Sequence, residues 1–189
     1  MSEEGSAASD RVAVVLDYLP RGRADDDRPQ YQKSPLAHAV DVESFQLYEV
    51  VLDADFAVSI DDELTIEPPQ TGIEEVRSIA FEDLSGGAKS ELDYVVQDLV
   101  EADVERYVEF YNEAGPITLR LHQLNLLPGI GDKLRDNILD ARDRSPFESL
   151  DDLEERIPGL HDPQGIVVDR IIEEIRDEDV KYKLFARDE

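Results

Sequence analysis

The sequence predicts an α+β protein, with a small closed β-barrel in its first half and an all-helical second half. Three observations predict this. Residues 11–81 carry short β-branched and aromatic runs broken by Pro, Gly and acidic turns. From Ser90 onward, apolar residues recur every three or four positions. Between the two regions, Asp83-Leu84-Ser85-Gly86-Gly87-Ala88 carries a Gly pair where the period changes from that of a strand to that of a helix. The expected organisation is a mobile acidic tail at 1–10, a barrel at 11–86 and a helical domain at 87–189.

In the first half, Arg11 to Leu19 (RVAVVLDYL) reads as a strand. A polar loop from Pro20 to Pro29 follows, in which Arg21, Arg23 and Arg28 share space with Asp25-Asp26-Asp27. That loop is either solvated with internal ion pairs or a contact for a nucleic-acid backbone. Tyr31 to Leu36 reads as short and extended. Ala37 to Val42, Phe45 to Leu52, Leu64 to Ile66 and Val76 to Phe81 read as further strands, and Phe56 to Ile60 as the start of another. About five short strands in so few residues suggest closure into a barrel. Tyr18, Tyr31, Phe45 and Tyr48 are then candidate base-stacking residues on its face, with core or rim packing as the alternative.

In the second half, Ser90 is placed to N-cap a helix whose stripe is Leu92, Val95, Val96, Leu99 and Val100. Asp103 opens the next helix, with Val104, Tyr107, Val108 and Tyr111 on one face and Gly115-Pro116 after its end. Thr118 to Leu126 is expected to be a helix leading into Leu127-Pro128-Gly129-Ile130-Gly131. There, Gly129 and Gly131 allow positive φ and leave their N–H groups uncovered. The following helix carries Leu134, Ile138, Leu139 and Ala141 at helical spacing, and Lys133 lies in its first turn. Free amides at a helix N-terminus, with about half a positive charge from the macrodipole, form an anion site.

The pattern then recurs. Ile157-Pro158-Gly159-Leu160 repeats the start and leads to a helix from Ile166 to Ile175. His161 stands where a second Gly is expected, and Asp162-Pro163-Gln164-Gly165 reads as a lengthened hairpin, 157–165 in all. Before the second copy, Ser149 is placed to cap a short helix to Arg156. At the end, Val180 to Phe185 reads as a docked strand, or as a tail whose Lys181 and Lys183 contact nucleic acid.

At Leu127 to Arg144 the chain resembles the helix-hairpin-helix motif. That resemblance implies phosphate held by Gly129, Ile130 and Gly131, with Lys133 and Arg135 beside it, and Gly159 and Leu160 in the second copy. It also implies a monovalent cation, K+ or Na+, on the main-chain carbonyls of Asn125, Leu127 and Ile130. The first half resembles an oligonucleotide/oligosaccharide-binding (OB) barrel in size. From about Asp10 to Arg187 the order resembles an archaeal family of unknown function, domain-of-unknown-function 655, most strongly from Tyr94 to Phe185.

Composition constrains the reading. Acids number 46 against 19 bases, for a net charge of -27, alongside 41% hydrophobic residues. Clear amphipathic periodicity excludes global disorder, and the balance resembles cytosolic proteins of salt-loving archaea. Such acidity opposes long-range attraction to nucleic acid. At about 1 M salt, however, the Debye length falls to about 3 Å, and short-range hydrogen bonds persist. There is no Cys, which excludes disulfides and thiolate metal sites and agrees with a reducing cytoplasm. No apolar run approaches the roughly 20 residues of a membrane span. His38, His122 and His161 are dispersed, and no Walker loop, nucleophile elbow or HExxH occurs. Glycosylases that use such hairpins carry a catalytic Asp after a Gly/Pro-rich loop, whereas Asp151 and Asp152 sit in an acidic helical run. The expected function is therefore non-enzymatic binding of a DNA or RNA backbone, with no membrane role. The alternatives, in order, are a scaffold that recognises a basic protein partner and a nucleic-acid-processing enzyme.

Overall fold

A computed structural model describes residues 9–187 of the 189-residue chain. Most of the expected acidic tail, and residues 188–189, lie outside the described residues. The chain divides into two compact units between Leu92 and Asp93.

The first unit is an antiparallel sheet of β1 (Arg11–Leu19), β2 (Leu36–Asp41), β3 (Leu47–Leu52), β4 (Glu63–Glu67) and β5 (Ile73–Ser78), in the order β4-β1-β2-β3-β5. The edge strands β4 and β5 are consecutive in the chain, joined only through residues 68–72. So short a connection forces the sheet to curl. It stays a half-barrel and does not close, and no β4-β5 ladder forms among the described residues. Glu63, Glu67, Glu74 and Glu75 are exposed along the two edges, and like charges facing each other across a ladder oppose pairing. One face buries Ala13, Val15, Ala37, Ala39, Tyr48, Val50, Leu52, Leu64 and Ile66, with Tyr18 and Phe56 packed against them.

Several expected elements shift. Phe45 is a turn residue at φ 59°, because Asp41 Oδ1 accepts from the N–H groups of Glu43 and Ser44, both at 2.8 Å, and bends the chain before β3. Phe56 to Ile60 forms no strand, and Gln30–Gln32 is a single 3-10 turn.

The helices are α1 (Gly86–Ala102), α2 (Val104–Glu113), α3 (Asp132–Arg144), α4 (Leu150–Arg156) and α5 (Pro163–Arg176). The Gly pair is the first turn of α1, not a linker. Ser85, not Ser90, caps it: Ser85 Oγ accepts from Ala88 N–H at 3.1 Å and donates to Asp17 Oδ2 at 2.6 Å. A Cβ on Gly87 would come within 2.7 Å of Asp17 Oδ2, so any larger residue there has to displace the carboxylate that holds Ser85.

The expected helix Thr118 to Leu126 is reduced to a 3-10 turn, Gln123–Leu126. Local side chains take the backbone donors instead. Thr118 Oγ1 accepts from Arg120 and Leu121 N–H, and His122 Nδ1 accepts from Leu124 N–H at 3.1 Å. The C-terminal segment docks without forming a strand. Phe185 stands edge-on to Tyr107 and Phe110 at 5.5 and 5.0 Å between ring centroids. No helix among the described residues is long and apolar enough to cross a membrane.

Candidate nucleic-acid interface

The first hairpin follows local rules. Leu127 and Ile130 are buried, while Pro128 and Gly129 are exposed. Ile130 N–H donates to Leu127 O at 3.2 Å, closing a turn with Pro128 second and Gly129 third, at φ 81°. Ile130 is thus an anchor, and its amide is already occupied. Gly131, at φ -85° and ψ -175°, has extended backbone that any residue adopts, so the expectation of positive φ holds for Gly129 alone.

Gly131 is the N-cap of α3 and offers no side chain to it. A Cβ at Gly129 or Gly131 would meet nothing within 4 Å, so both glycines face open space. Among the described residues, no group accepts from the N–H of Gly129, Gly131, Asp132 or Lys133. These amides form the uncapped positive end of a 13-residue helix, with the Asp132 carboxylate in its first turn.

The flanking cations differ. Lys133 is exposed and has no ion-pair partner among the described residues. Arg135 is committed elsewhere: its guanidinium donates to Asn125 Oδ1, Asp132 Oδ1 and Asp136 Oδ1, each at 3.0 Å. It therefore fastens the 3-10 turn to α3. Of the carbonyls expected to hold a monovalent cation, that of Leu127 accepts the Ile130 N–H, and that of Ile130 faces Asn125 Nδ2 at 3.5 Å. Asn125 O has no such neighbour among the described residues. The carbonyl set is thus only partly open to a cation.

The second hairpin repeats the turn. Leu160 N–H donates to Ile157 O at 3.2 Å, Gly159 has φ 89°, and Ile157 and Leu160 are buried. The two hairpins adjoin, since a Cβ on Gly159 would lie 3.7 Å from Leu134 of α3. They differ at the cap. Asp162, at φ 48°, is the N-cap of α5, and its carboxylate accepts from Gly165 N–H at 3.0 Å. Residues 163–165 are therefore the first turn of α5 rather than a lengthened hairpin. An internal acid occupies the helix end that Gly131 leaves bare, so Gly159 and Leu160 border a filled position.

On the sheet, Phe45 and Tyr48 are core residues and Tyr18 packs against the core, so they offer no stacking surface. Tyr31 alone of the four is fully presented, at 85% exposure.

A family model described as a protein of unknown function, DUF655, matches residues 9–187. The chain belongs to the DUF655 family. It is similar to the uncharacterized protein MJ0038 of Methanocaldococcus jannaschii, with 37% identity over 181 residues, covering 94% of this chain and 80% of that protein. It is also similar to the crystal structure of Af1531 from Archaeoglobus fulgidus, a DUF655 member, with TM-score 0.84 and 38% identity, covering 94% of this chain and 99% of that chain. Both relatives are archaeal.

Two polar clusters in this DUF655 chain escaped sequence reasoning. In the first, Glu49, at 2% exposure, receives Arg23 through two hydrogen bonds of 2.6 and 2.7 Å and lies 3.8 Å from Arg77. Behind it, His38 Nε2 lies 3.5 Å from Glu49, and His38 Nδ1 accepts from Ser85 N–H at 3.0 Å. An accepting Nδ1 makes the ring neutral with its proton on Nε2. Burial, the largest influence, lowers the His38 pKa despite the neighbouring carboxylate. The signal available was a lone Glu inside the apolar run Phe45 to Leu52. In the second cluster, buried Glu174 accepts from Leu184, Phe185 and Ala186 N–H and from Arg170 Nε. Among the described residues, no three His, Asp or Glu side chains are grouped to hold a metal ion.

Proposed function

We propose that this DUF655 protein is a non-enzymatic nucleic-acid-binding protein of a salt-adapted archaeal cytoplasm. In this reading the helical unit is a helix-hairpin-helix module whose first helix has shrunk to a 3-10 turn, and the half-barrel is an open OB-like sheet. The first hairpin holds one DNA or RNA backbone phosphate on the Gly129 and Gly131 amides and the first-turn amides of α3, with Lys133 beside it. K+ or Na+ on the Asn125 and Leu127 carbonyls would supply further positive charge to that phosphate.

One observation carries the reading. The N-cap of α3 has no side chain and opens on free space, and its first turn carries Asp132 and Lys133, the latter without an ion-pair partner among the described residues. The paired hairpin, where Asp162 fills the equivalent position, is the internal contrast. Contacts of this kind read the backbone and carry little base information. The net charge of -27 is compatible with them because hydrogen bonds at contact distance survive the screening that removes distant repulsion.

The test is fluorescence anisotropy of a labelled oligonucleotide in about 1 M KCl, where the Debye length is about 3 Å. Wild type is compared with Gly131→Glu, a change that fits the extended backbone and open space there. Loss of binding is expected in the variant, and equal binding by both proteins overturns the proposal.

A further inference from the structure

We infer that the groove between the loop after β1 and strands β3 and β5 is a second anion site, which receives a phosphate ester on the guanidinium groups of Arg23, Arg28 and Arg77. It belongs to the sheet unit and does not rest on the hairpin reading.

The groove encloses about 510 Å³, within the range of small-ligand sites. All three guanidiniums line it, together with Gln32 and Ser34. Their side chains are 44%, 63% and 51% exposed in chain order, so they reach solvent while anchored. Arg77 stands opposite Glu49 in the β3-β5 ladder. The positive charge of Arg77 repels both Arg23 and Arg28, so it lies within electrostatic reach of each. Five carboxylates, those of Asp25, Asp26, Glu49, Glu74 and Glu75, line the same groove, so an entering phosphate competes with them for the arginine forks.

Glu49 is the positioning residue. Buried and backed by His38, it fixes the Arg23 fork through two hydrogen bonds and draws Arg77 toward the groove. The Arg23 fork is then ordered before a ligand arrives. The other partners are exchangeable. Arg77 is held by Glu75 at 2.6 Å, and Arg28 by Asp26 at 2.7 Å, each from two residues away. A phosphate would displace these carboxylates, offering each planar fork a more highly charged acceptor. Asp25 and Glu74 also border the groove. Binding therefore depends on short bidentate contacts rather than on long-range attraction.

The phosphate ester has two sources, a free mononucleotide or a single nucleic-acid strand. The experiment follows the arginine Nε–Hε resonances of the full chain by NMR at fixed ionic strength. Separate titrations use inorganic phosphate, a nucleoside monophosphate, a single-stranded oligonucleotide and spermine. Phosphate-bearing probes are expected to shift Arg23 and Arg77, and Arg28→Gln/Arg77→Gln to weaken binding roughly tenfold or more while circular dichroism is unchanged. A response to the mononucleotide alone supports a small ligand; a response to the oligonucleotide supports a strand. Gly131→Glu is expected to leave these shifts intact, which separates this site from the hairpin. No shift with any phosphate probe, equal affinity in the double variant, loss of the shifts in Gly131→Glu, or a response to spermine in place of phosphate overturns the inference.

Discussion

Asp162 holds the Gly165 N–H on its carboxylate at 3.0 Å, closing the N-terminus of α5 with a side-chain cap that α3 lacks. Because Asp162 also sits at φ 48°, its replacements separate two effects. Asp162→Ala loses the cap, at about 1 kcal/mol, and keeps a Cβ in the left-handed backbone that Asp162 already occupies. Asp162→Gly is expected to cost only a few tenths of a kcal/mol. Urea denaturation of the two variants checks this ordering. Asp162→Gly is also expected to raise oligonucleotide affinity, because it bares a second helix end beside the first.

Glu174 is the tie of the C-terminal segment. Its side chain is fully buried and accepts three successive backbone N–H groups as well as Arg170. Glu174→Ala leaves Arg170, at 7% side-chain exposure, without its buried partner. The expected loss is about 3–5 kcal/mol, the scale for breaking a buried pair. Glu174→Gln keeps one acceptor oxygen and is expected to lose less. Limited proteolysis after Lys183 or Arg187 reports release of the segment, and thermal denaturation reports the energy.

Stability is expected to fall below about pH 6.5, the ordinary histidine value. Burial, the largest cause, lowers the pKa of both His38 and His122, and Arg142 and Arg135 add to it at His122. The unfolded chain then takes up a proton near pH 6.5 that the folded chain refuses. Stability is complete above that pH and is lost as the pH falls toward the depressed folded values. Urea midpoints at pH 7.5 and 5.5 measure the change. His38→Gln is expected to reduce the drop, since it removes one of the two groups.

Local chemistry made much of this fold legible in advance. β1, α3, the Ser149 cap and both Pro-Gly turns are set by neighbouring residues, and they lie where the pattern placed them. Features that depend on distant partners were hidden. Openness of the sheet depends on two edges meeting across the whole unit, and alternation within a strand carries no information on that. Glu174 looks like any surface acid in so acidic a chain, and Glu49 stands out only as a lone Glu in an apolar run; burial is what marks both. Thr118 to Leu126 is expected to be a helix from its place in the motif, but Thr118 and His122 capture the amides that a helix needs. Leu119 accordingly ends fully exposed. At the candidate site, sequence reasoning located the bare cap. It could not foresee that Ile130 spends its amide on the turn or that Arg135 is bound by Asn125 and two acids.

The most discriminating prediction concerns Gly131→Asp. Gly131 has extended backbone and open space around its missing Cβ, so aspartate enters without strain. Its carboxylate is expected to reach the free amides of the first turn of α3, as Asp162 does in α5. Capping and charge–dipole attraction together should raise stability by about 1 kcal/mol. The same carboxylate fills the place of the phosphate, so oligonucleotide binding in high salt should fall at least tenfold. A variant that only damaged the fold would lower both quantities, and a hairpin with a purely packing role would show the gain in stability without the loss in binding. Thermal denaturation and anisotropy on one preparation measure the two effects side by side. Opposite changes in them are what a site made of main-chain amides requires, since one group of donors either binds the ligand or is satisfied by the protein itself.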